Sequence, residues 1–184
     1  QPRVAYFAGC TAGYLFPEVA RAAVAVLEGS GISVYVPPQQ CCGMPTLLEG
    51  DKKTTLRCAR FNLEIFLKAV RDGFDIVCSC PTCGFLMKVL LNYRAYYSDA
   101  YQRKVGASED EIKVPGTQKS SDDGFVHMKK SMYEKILKDD GYFSAFDPLD
   151  RIAISEKVMD LGEYLGRLHR KAGLNPLFGR LPGR

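Results

Sequence analysis

The sequence predicts an α/β fold: a small parallel, Rossmann-like sheet of three or more strands with covering helices, followed by a mostly helical C-terminal extension. Short apolar, β-branched runs alternate with longer segments in which apolar residues recur every three or four positions. This alternation of strand and helix is typical of a parallel sheet whose strands are joined by helical crossovers. Hydrophobic residues make up 46% of the 184 positions, enough for a buried core. Global disorder is therefore excluded.

Three segments of the first half predict strands, and residues that end regular structure follow them. They are the runs RVAYFA, ISVYVP and FDIVCS, at 3–8, 32–37 and 74–79. β-Branched and aromatic residues are frequent in these runs, as is typical of buried strands. Gly9 follows the first run and a Pro-Pro pair closes the second, so these strands have defined ends.

Three helices are predicted between and after these strands, over 17–29, 51–72 and 80–99. The first helix has Pro17 in its first turn and Gly29 at its end, where these residues are preferred. The apolar residues of the second helix recur at spacings of three and four, which gives one face for the core. The third helix begins with a Cys-Pro pair, so its proline also lies in the first turn.

The second half of the chain predicts a different organisation. Residues 100–130 are polar, with clusters of Gly, Ser and Asp, and predict a linker or mobile excursion. Residues 131–184 predict a helical extension that contains a helix over 154–173, with Ser155 as its candidate cap. We therefore divide the chain into a cysteine-rich domain over 1–99, the linker and the extension.

Charge and hydropathy exclude several classes of function. Lys and Arg number 25 and Asp and Glu number 21, for a formal net charge of +4. This balance argues against a nucleic acid partner and against direct binding to an anionic membrane. No apolar run approaches the roughly 20 residues of a transmembrane helix. The chain starts without an initiator Met or an apolar leader and ends on a Pro-Gly turn, so we expect a piece of a longer polypeptide.

Cysteines are concentrated in the first half of the chain. All seven lie within the first 83 residues: Cys10, Cys41, Cys42, Cys58, Cys78, Cys80 and Cys83. An odd number of cysteines in a helix-rich chain without a secretory leader is typical of a reducing compartment, so we expect a cytoplasmic location. In such a compartment, clustered cysteines hold metal ions or perform redox chemistry more often than they form structural disulfides.

Five of these cysteines follow the carboxyl ends of predicted strands. Cys10 follows the first strand, the Cys41–Cys42 pair follows the second, and Cys80 and Cys83 follow the third. In an open parallel sheet these ends lie along one edge, where ligands bind. The sequence therefore predicts that thiols from three separate loops converge on one site.

The adjacent pair Cys41–Cys42 favours a metal site over a disulfide. A disulfide between neighbouring residues closes a strained eight-membered ring, and two unpaired thiolates repel each other, whereas a positively charged centre binds both. Four interpretations are open: an iron–sulfur cluster, a structural zinc site that uses four of the five thiols, a thioredoxin-like dithiol at Cys80 and Cys83, and chance burial of small apolar side chains.

The combination of Cys10, the Cys41-Cys42-Gly43 motif and the Cys80-Pro-Thr-Cys83 motif resembles a known family. It is similar to the cysteine-rich CCG domain of the heterodisulfide reductase-like family, over about residues 3–97. Relatives include a subunit of anaerobic glycerol-3-phosphate dehydrogenase and the iron–sulfur subunits of glycolate and lactate oxidases. The resemblance implies an iron–sulfur cluster, in some members a noncubane four-iron cluster, whose ligands would be Cys10, Cys41, Cys42, Cys80 and Cys83.

The resemblance also implies a role and partners. It implies an electron-transfer module of a heterodisulfide reductase-like or anaerobic dehydrogenase oxidoreductase, with a flavoprotein dehydrogenase subunit and a ferredoxin-type or quinone-linked protein as redox partners. Such partners would place it at the cytoplasmic face of the membrane. Heterodisulfide reductase-like members usually carry two such motifs, whereas the cysteine pattern is not repeated after residue 83. We therefore expect a subunit or fragment, whose extension leads to a second repeat outside this chain, rather than a complete enzyme. The alternative is a zinc-stabilised interaction module without redox activity.

Elementary chemistry agrees with the implied cluster. Iron–sulfur clusters need thiolate ligands, and five thiolates suit a larger or opened cluster in which one thiolate bridges two irons. Gly43 would let the backbone pass close to the inorganic sulfurs. Thiols at the N-terminus of the predicted helix, Cys83 among them, are expected to have a lowered pKa.

The remaining candidate ligands are expected to be structural. Cys58 lies in the middle of a predicted helix, and Cys78 lies inside the third strand, where a supporting role beside the cluster is the alternative. His127 lies in the predicted linker and His169 lies on the last helix. Both histidines are expected to be solvated or capping groups rather than ligands.

Overall fold

The computed structural model describes residues 1–116 and 122–172. The strands are β1 (Arg3–Phe7), β2 (Ser33–Tyr35), β3 (Asp75–Cys78), β4 (Glu111–Pro115), β5 (Phe125–Lys129) and β6 (Val158–Asp160). The α-helices are α1 (Pro17–Gly29), α2 (Met44–Leu48), α3 (Lys52–Arg71), α4 (Pro81–Phe85), α5 (Asp99–Lys104), α6 (Lys130–Tyr133), α7 (Pro148–Ser155) and α8 (Leu161–Ala172). Two π-helical turns, Thr11–Leu15 and Leu86–Leu90, and one 3₁₀ turn, Ala95–Tyr97, complete the described elements.

Four parallel strands form the central sheet, in the order β2-β1-β3-β6. In the register, Ala5 lies opposite Tyr35 on one side and Ile76 on the other, and Ile76 lies opposite Val158. Helices on both faces connect the strands, so the fold class predicted from the sequence, a parallel α/β sheet with covering helices, is confirmed.

Alternate residues of each strand supply two separate cores. One face of the sheet, with Phe7 and Ile76, packs against α3, α7 and the segment after β3, and Phe66 of α3 is fully buried there. The other face, with Tyr6 and Val77, packs against α1 and α8. The sheet therefore lies between two helical layers, and its strand ends remain open at the edges.

The second half of the chain contributes to the sheet, which differs from the prediction of a linker and a helical extension. Residues 99–104 form α5, and β4 and β5 pair as an antiparallel hairpin. Val158 and Met159 are buried beside β3 as β6, although their spacing with Leu161 also fits a helix. The helix predicted over 154–173 is therefore two helices separated by a strand, and residues 173–184 of the extension lie outside the described residues.

The helix predicted over 80–99 is also interrupted. It consists of α4, a π-helical turn and a 3₁₀ turn. Arg94 has a φ of 63°, in the left-handed region, which ends helical geometry before the 3₁₀ turn. Arg151 of α7 joins the segments on both sides of this break. It is fully buried, donates a hydrogen bond to the carbonyl of Leu91, which precedes the break, and pairs with Asp139, which follows it.

Within the described ranges, no helix combines the length and the hydrophobicity of a membrane span.

Candidate metal centre

The predicted ligands lie at the carboxyl edge of the sheet, between β1 and β3. Helix α1 follows β1 and covers one face, whereas α3 precedes β3 and covers the other. The connections that follow β1 and β3 therefore leave the sheet toward opposite faces, which forms the type of crevice in which open α/β sheets bind ligands. Cys10 lies three residues after the end of β1, and Cys80 lies two residues after the end of β3.

Contacts between thiols connect all five predicted ligands in one row. The Cys41 thiol donates to the Cys10 sulfur, and the two Sγ atoms are 3.4 Å apart. Cys42, next in the chain, interacts through its side chain with Cys83, and Cys83 interacts in turn with Cys80. None of these cysteines forms a disulfide. The structure thus brings together thiols from three loops, as the sequence predicted, and their role as ligands stays a prediction.

Gln39 joins the loop that carries Cys41 to the loop that carries Cys10. Its side-chain oxygen accepts hydrogen bonds from the backbone N–H groups of Ala8, at 2.7 Å, and Gly9, at 3.1 Å. Its amide nitrogen donates to the carbonyls of Tyr6, at 3.2 Å, and Pro37, at 3.1 Å. All four hydrogen-bonding positions of this side chain are bonded to backbone groups, so Gln39 fixes the position of one loop relative to the other.

Asn62 of α3 fixes the backbone at the vicinal cysteine pair through hydrogen bonds. This residue is 6% exposed. Its oxygen accepts from the Gln40 N–H at 2.9 Å, and its amide nitrogen donates to the carbonyls of Gln40, at 3.3 Å, and Cys41, at 3.1 Å. Sequence reasoning missed Asn62, but a signal was present, since a polar residue stands among Ala59, Leu63 and Phe66 on the apolar face of a predicted helix.

Two glycines in the left-handed region shape the loops around the sulfurs. At Gly9, with φ +67°, a Cβ atom would lie 2.9 Å from the Cys83 sulfur. At Gly43, with φ +97°, a Cβ atom would lie 3.2 Å from the Cγ2 atom of Thr55, a fully buried residue of α3. Gly43 therefore permits close packing against α3, and Gly9, which the sequence analysis gave only as the end of a strand, is the glycine beside a sulfur.

The thiols of Cys42 and Cys83 shift each other's pKa in opposite directions. The hydrogen bond from Cys83 lowers the pKa of Cys42 to about 6, and the same bond, with burial, raises the pKa of Cys83 well above its usual range. Burial raises the pKa of Cys41 to about 12. A bound cation would displace these protons, because thiols ligate metals as thiolates.

The lowered pKa expected for Cys83 at a helix N-terminus is therefore wrong for the metal-free protein. Helix α4 has five residues, and the partial charge at the end of so short a helix is small. The neighbouring Cys42 sulfur has the larger effect, since its interaction with the Cys83 thiol favours the protonated form of Cys83.

The other candidates lie apart from the row of thiols. Cys58 is buried on α3, and Cys78 is fully buried in β3, where its thiol lies 3.7 Å from the Met159 carbonyl and burial raises its pKa to about 12. His127 lies on β5 between two carboxylates of the hairpin, and His169 is exposed on α8.

The donor set fits an iron–sulfur cluster better than a single ion. Across residues 1–116 and 122–172, no group of three or more His, Cys, Asp and Glu side chains is arranged to hold one metal ion. The five thiols are instead linked by successive contacts between neighbours. A cluster takes its thiolates at separate iron atoms, so thiols from three loops suit it, and Gly9 leaves the Cys83 sulfur free of the clash that a Cβ would make.

Exposed apolar side chains surround this edge of the sheet. Tyr14, Leu15 and Phe16, which follow Cys10, are 77%, 70% and 52% exposed. Phe85, in the helix of Cys83, is 51% exposed. Cys10, Cys41 and Cys80 are themselves half-buried. These three cysteines therefore lie close to the surface, whereas Cys42 and Cys83 are buried in the core.

Comparison with known proteins gives one family. Residues 4–88 match the model of the cysteine-rich domain called CCG. This range contains all seven cysteines, and the row of thiols lies within it. No solved structure shows significant similarity to the chain.

Curated relatives match the same part of the chain. An uncharacterized iron-sulfur protein of Methanococcus maripaludis is 37% identical over 87 residues, which is 47% of this chain and 17% of that protein. Lactate utilization protein A of Exiguobacterium is 36% identical over 88 residues, 47% of this chain and 35% of that protein. A subunit of the anaerobic glycerol-3-phosphate dehydrogenase of Escherichia coli is 28% identical over 88 residues, 47% of this chain and 22% of that protein. The aligned part thus spans about a third or less of each relative.

Proposed function

We propose that the chain is an iron–sulfur electron-transfer module of an oxidoreductase, on the premise that residues 4–88 match the model of the cysteine-rich CCG domain. One observation carries the proposal. Five free thiols from three loops form a continuous row at the carboxyl edge of the sheet, with 3.4 Å between the sulfurs of Cys10 and Cys41. A chance distribution of buried cysteines does not require such a row, and a tetrahedral zinc site uses only four thiols.

The cluster would be held by Cys10, Cys41, Cys42, Cys80 and Cys83, and when bound it supplies one-electron transfer. The chain's own residues do the rest. Gln39 and Asn62 fix the backbone that carries the cysteines, which lowers the conformational cost of binding. Cys42 and Cys83 anchor the row inside the protein, while Cys10, Cys41 and Cys80 are half-buried. A centre near the surface can exchange electrons with a docked partner.

The finer assignment is a four-iron, noncubane cluster in a heterodisulfide reductase-like or anaerobic dehydrogenase complex. Five thiolates, two of them adjacent, exceed the four that a cubane takes. The names of two relatives, a lactate utilization protein and a subunit of an anaerobic dehydrogenase, support a place in a multi-subunit oxidoreductase. A flavoprotein dehydrogenase subunit and a ferredoxin-type or quinone-linked protein would then be its redox partners, in the cytoplasm or at its membrane face.

Metal analysis of anaerobically purified protein tests the proposal. We expect iron with acid-labile sulfide, a brown colour, and a paramagnetic signal after reduction or oxidation. Folded, colourless protein without iron would overturn it. Stoichiometric zinc in protein kept strictly free of oxygen would favour the zinc-stabilised interaction module instead, because zinc has no redox chemistry. Such protein would also give no paramagnetic signal.

A further inference from the structure

Two of the five thiols contact each other where both can be reached from solvent. The Sγ atoms of Cys10 and Cys41 are 3.4 Å apart, and the Cys41 thiol donates to the Cys10 sulfur. Both residues are free and half-buried. The other contacts between neighbouring thiols each include Cys42 or Cys83, which are buried. Cys10 and Cys41 are therefore the contacting pair in which a dissolved reagent can reach both sulfurs.

The backbone that carries this pair is held on both sides. Gln39, two residues before Cys41, accepts a hydrogen bond at 3.1 Å from the N–H of Gly9, the residue before Cys10. Asn62 donates to the Cys41 carbonyl, also at 3.1 Å. A disulfide needs the two sulfurs to approach from 3.4 Å to ~2.05 Å. Rotation of the two side chains covers so short a distance, so the bond can form while the loops stay in place.

We propose that Cys10 and Cys41 of the metal-free protein form a reversible disulfide by exchange with a low-molecular-weight disulfide such as oxidised glutathione. One protein thiolate attacks a sulfur of oxidised glutathione, which forms a mixed disulfide and releases one glutathione. The second protein thiolate attacks the protein sulfur of the mixed disulfide, which closes the Cys10–Cys41 bond and releases the other glutathione. The protein gives up two electrons and two protons, and both appear in the two glutathione thiols.

The disulfide withdraws two of the five predicted ligands. The oxidised chain should therefore take up no iron–sulfur cluster until a thiol reductant opens the bond, and a cluster already bound should protect both sulfurs from exchange. These two consequences rest on the proposed function, whereas formation of the disulfide does not. The pair then acts as a redox-sensitive switch that permits cluster uptake only under reducing conditions.

Equilibration of the reduced, metal-free chain in anaerobic glutathione buffers tests the disulfide itself. Free thiols are blocked with one alkylating reagent, the disulfide is reduced, and the newly freed thiols receive a second, heavier reagent. Fragmentation of the tryptic peptides then locates the second label, which we expect on Cys10 and Cys41. A second label on Cys80 and Cys83, on Cys42, or on no cysteine would overturn the inference.

Variants of neighbouring residues test the geometry. Cys41→Ala should abolish the protein disulfide and leave Cys10 as a mixed disulfide with glutathione, whereas Cys42→Ala should retain the Cys10–Cys41 bond. Gln39→Ala should lower the equilibrium constant for disulfide formation severalfold relative to Gln40→Ala, because the two loops are no longer joined. Equal constants would overturn the part assigned to Gln39. Where a variant fails to fold, the positions of the second label in the unmodified chain decide the pairing alone.

Iron uptake separates this inference from the proposed function. Reduced chain should bind iron and sulfide under anaerobic conditions, and chain with the mapped disulfide should bind them only after treatment with dithiothreitol. Equal iron in the oxidised and reduced chains would overturn the switch. Absence of iron from the reduced chain would instead overturn the proposed function and leave the disulfide standing.

Discussion

Removal of the Gln39 side chain is expected to loosen the candidate centre before any metal is bound. The substitution Gln39→Ala deletes four hydrogen bonds to backbone, at the N–H groups of Ala8 and Gly9 and the carbonyls of Tyr6 and Pro37. A typical hydrogen bond contributes a net 0.5–1.5 kcal/mol. Gln39 is half-buried, so water replaces part of what is lost and the lower end of the range applies. The free energy of unfolding should fall by about 2 kcal/mol.

Urea denaturation of the metal-free protein, followed by circular dichroism, measures this loss. Iron and sulfide uptake should fall as well, since the loops with Cys10 and Cys41 are no longer joined. Gln40→Ala is the matched control, because Gln40 is hydrogen-bonded to Asn62 through its backbone, which the substitution keeps. A Gln39→Ala protein within about 0.5 kcal/mol of the Gln40→Ala protein, less than one hydrogen bond, would refute the reasoning.

Two further perturbations follow from the geometry. Gly9→Ala places a Cβ atom 2.9 Å from the Cys83 sulfur in a left-handed conformation, so the free energy of unfolding in urea should fall by about 1–3 kcal/mol and iron binding should fall. Gly13→Ala is the control, because nothing lies within 4 Å of its added Cβ. Equal behaviour of the two variants would contradict the expectation. Glu111, together with a second carboxylate of the hairpin, raises the pKa of His127 above 6.5. The stabilisation is therefore complete below pH 6.5 and is lost as the pH rises through the raised pKa. Melting temperatures between pH 5.5 and 9 should show this decline, and His127→Gln should lack it; identical profiles would contradict it.

The edge of the sheet could be predicted because local patterns define it. Each of the first three strands is a short β-branched run, and Gly9 or the Pro37–Pro38 pair ends a run before the cysteines begin. Parallel pairing then places every carboxyl end on one side. The fold class followed from these two facts and is confirmed. The resemblance to the CCG domain came from the cysteine motifs, and it is confirmed as well.

The parts that sequence reasoning missed depend on contacts between distant residues. The strand β6 is three residues long, and its Val158 also fits the helical spacing of Leu161 and Leu165. Only its place beside β3 makes it a strand. The partners of Gln39 and Asn62 lie mostly more than 20 residues away in the chain, so no local pattern marks them. The predicted ligand role of the thiols is independent of these errors.

Iron content in a pair of cysteine variants tests the central claim most directly. Cys10 is about 70 residues from Cys80 in the chain, yet the row of contacts connects the two. Cys58 is buried in α3, outside that row. In anaerobically purified protein, Cys10→Ser should lower the iron bound per chain and Cys58→Ser should leave it unchanged. Full iron in Cys10→Ser, or an equal loss in both variants, would contradict a cluster held by these five thiols.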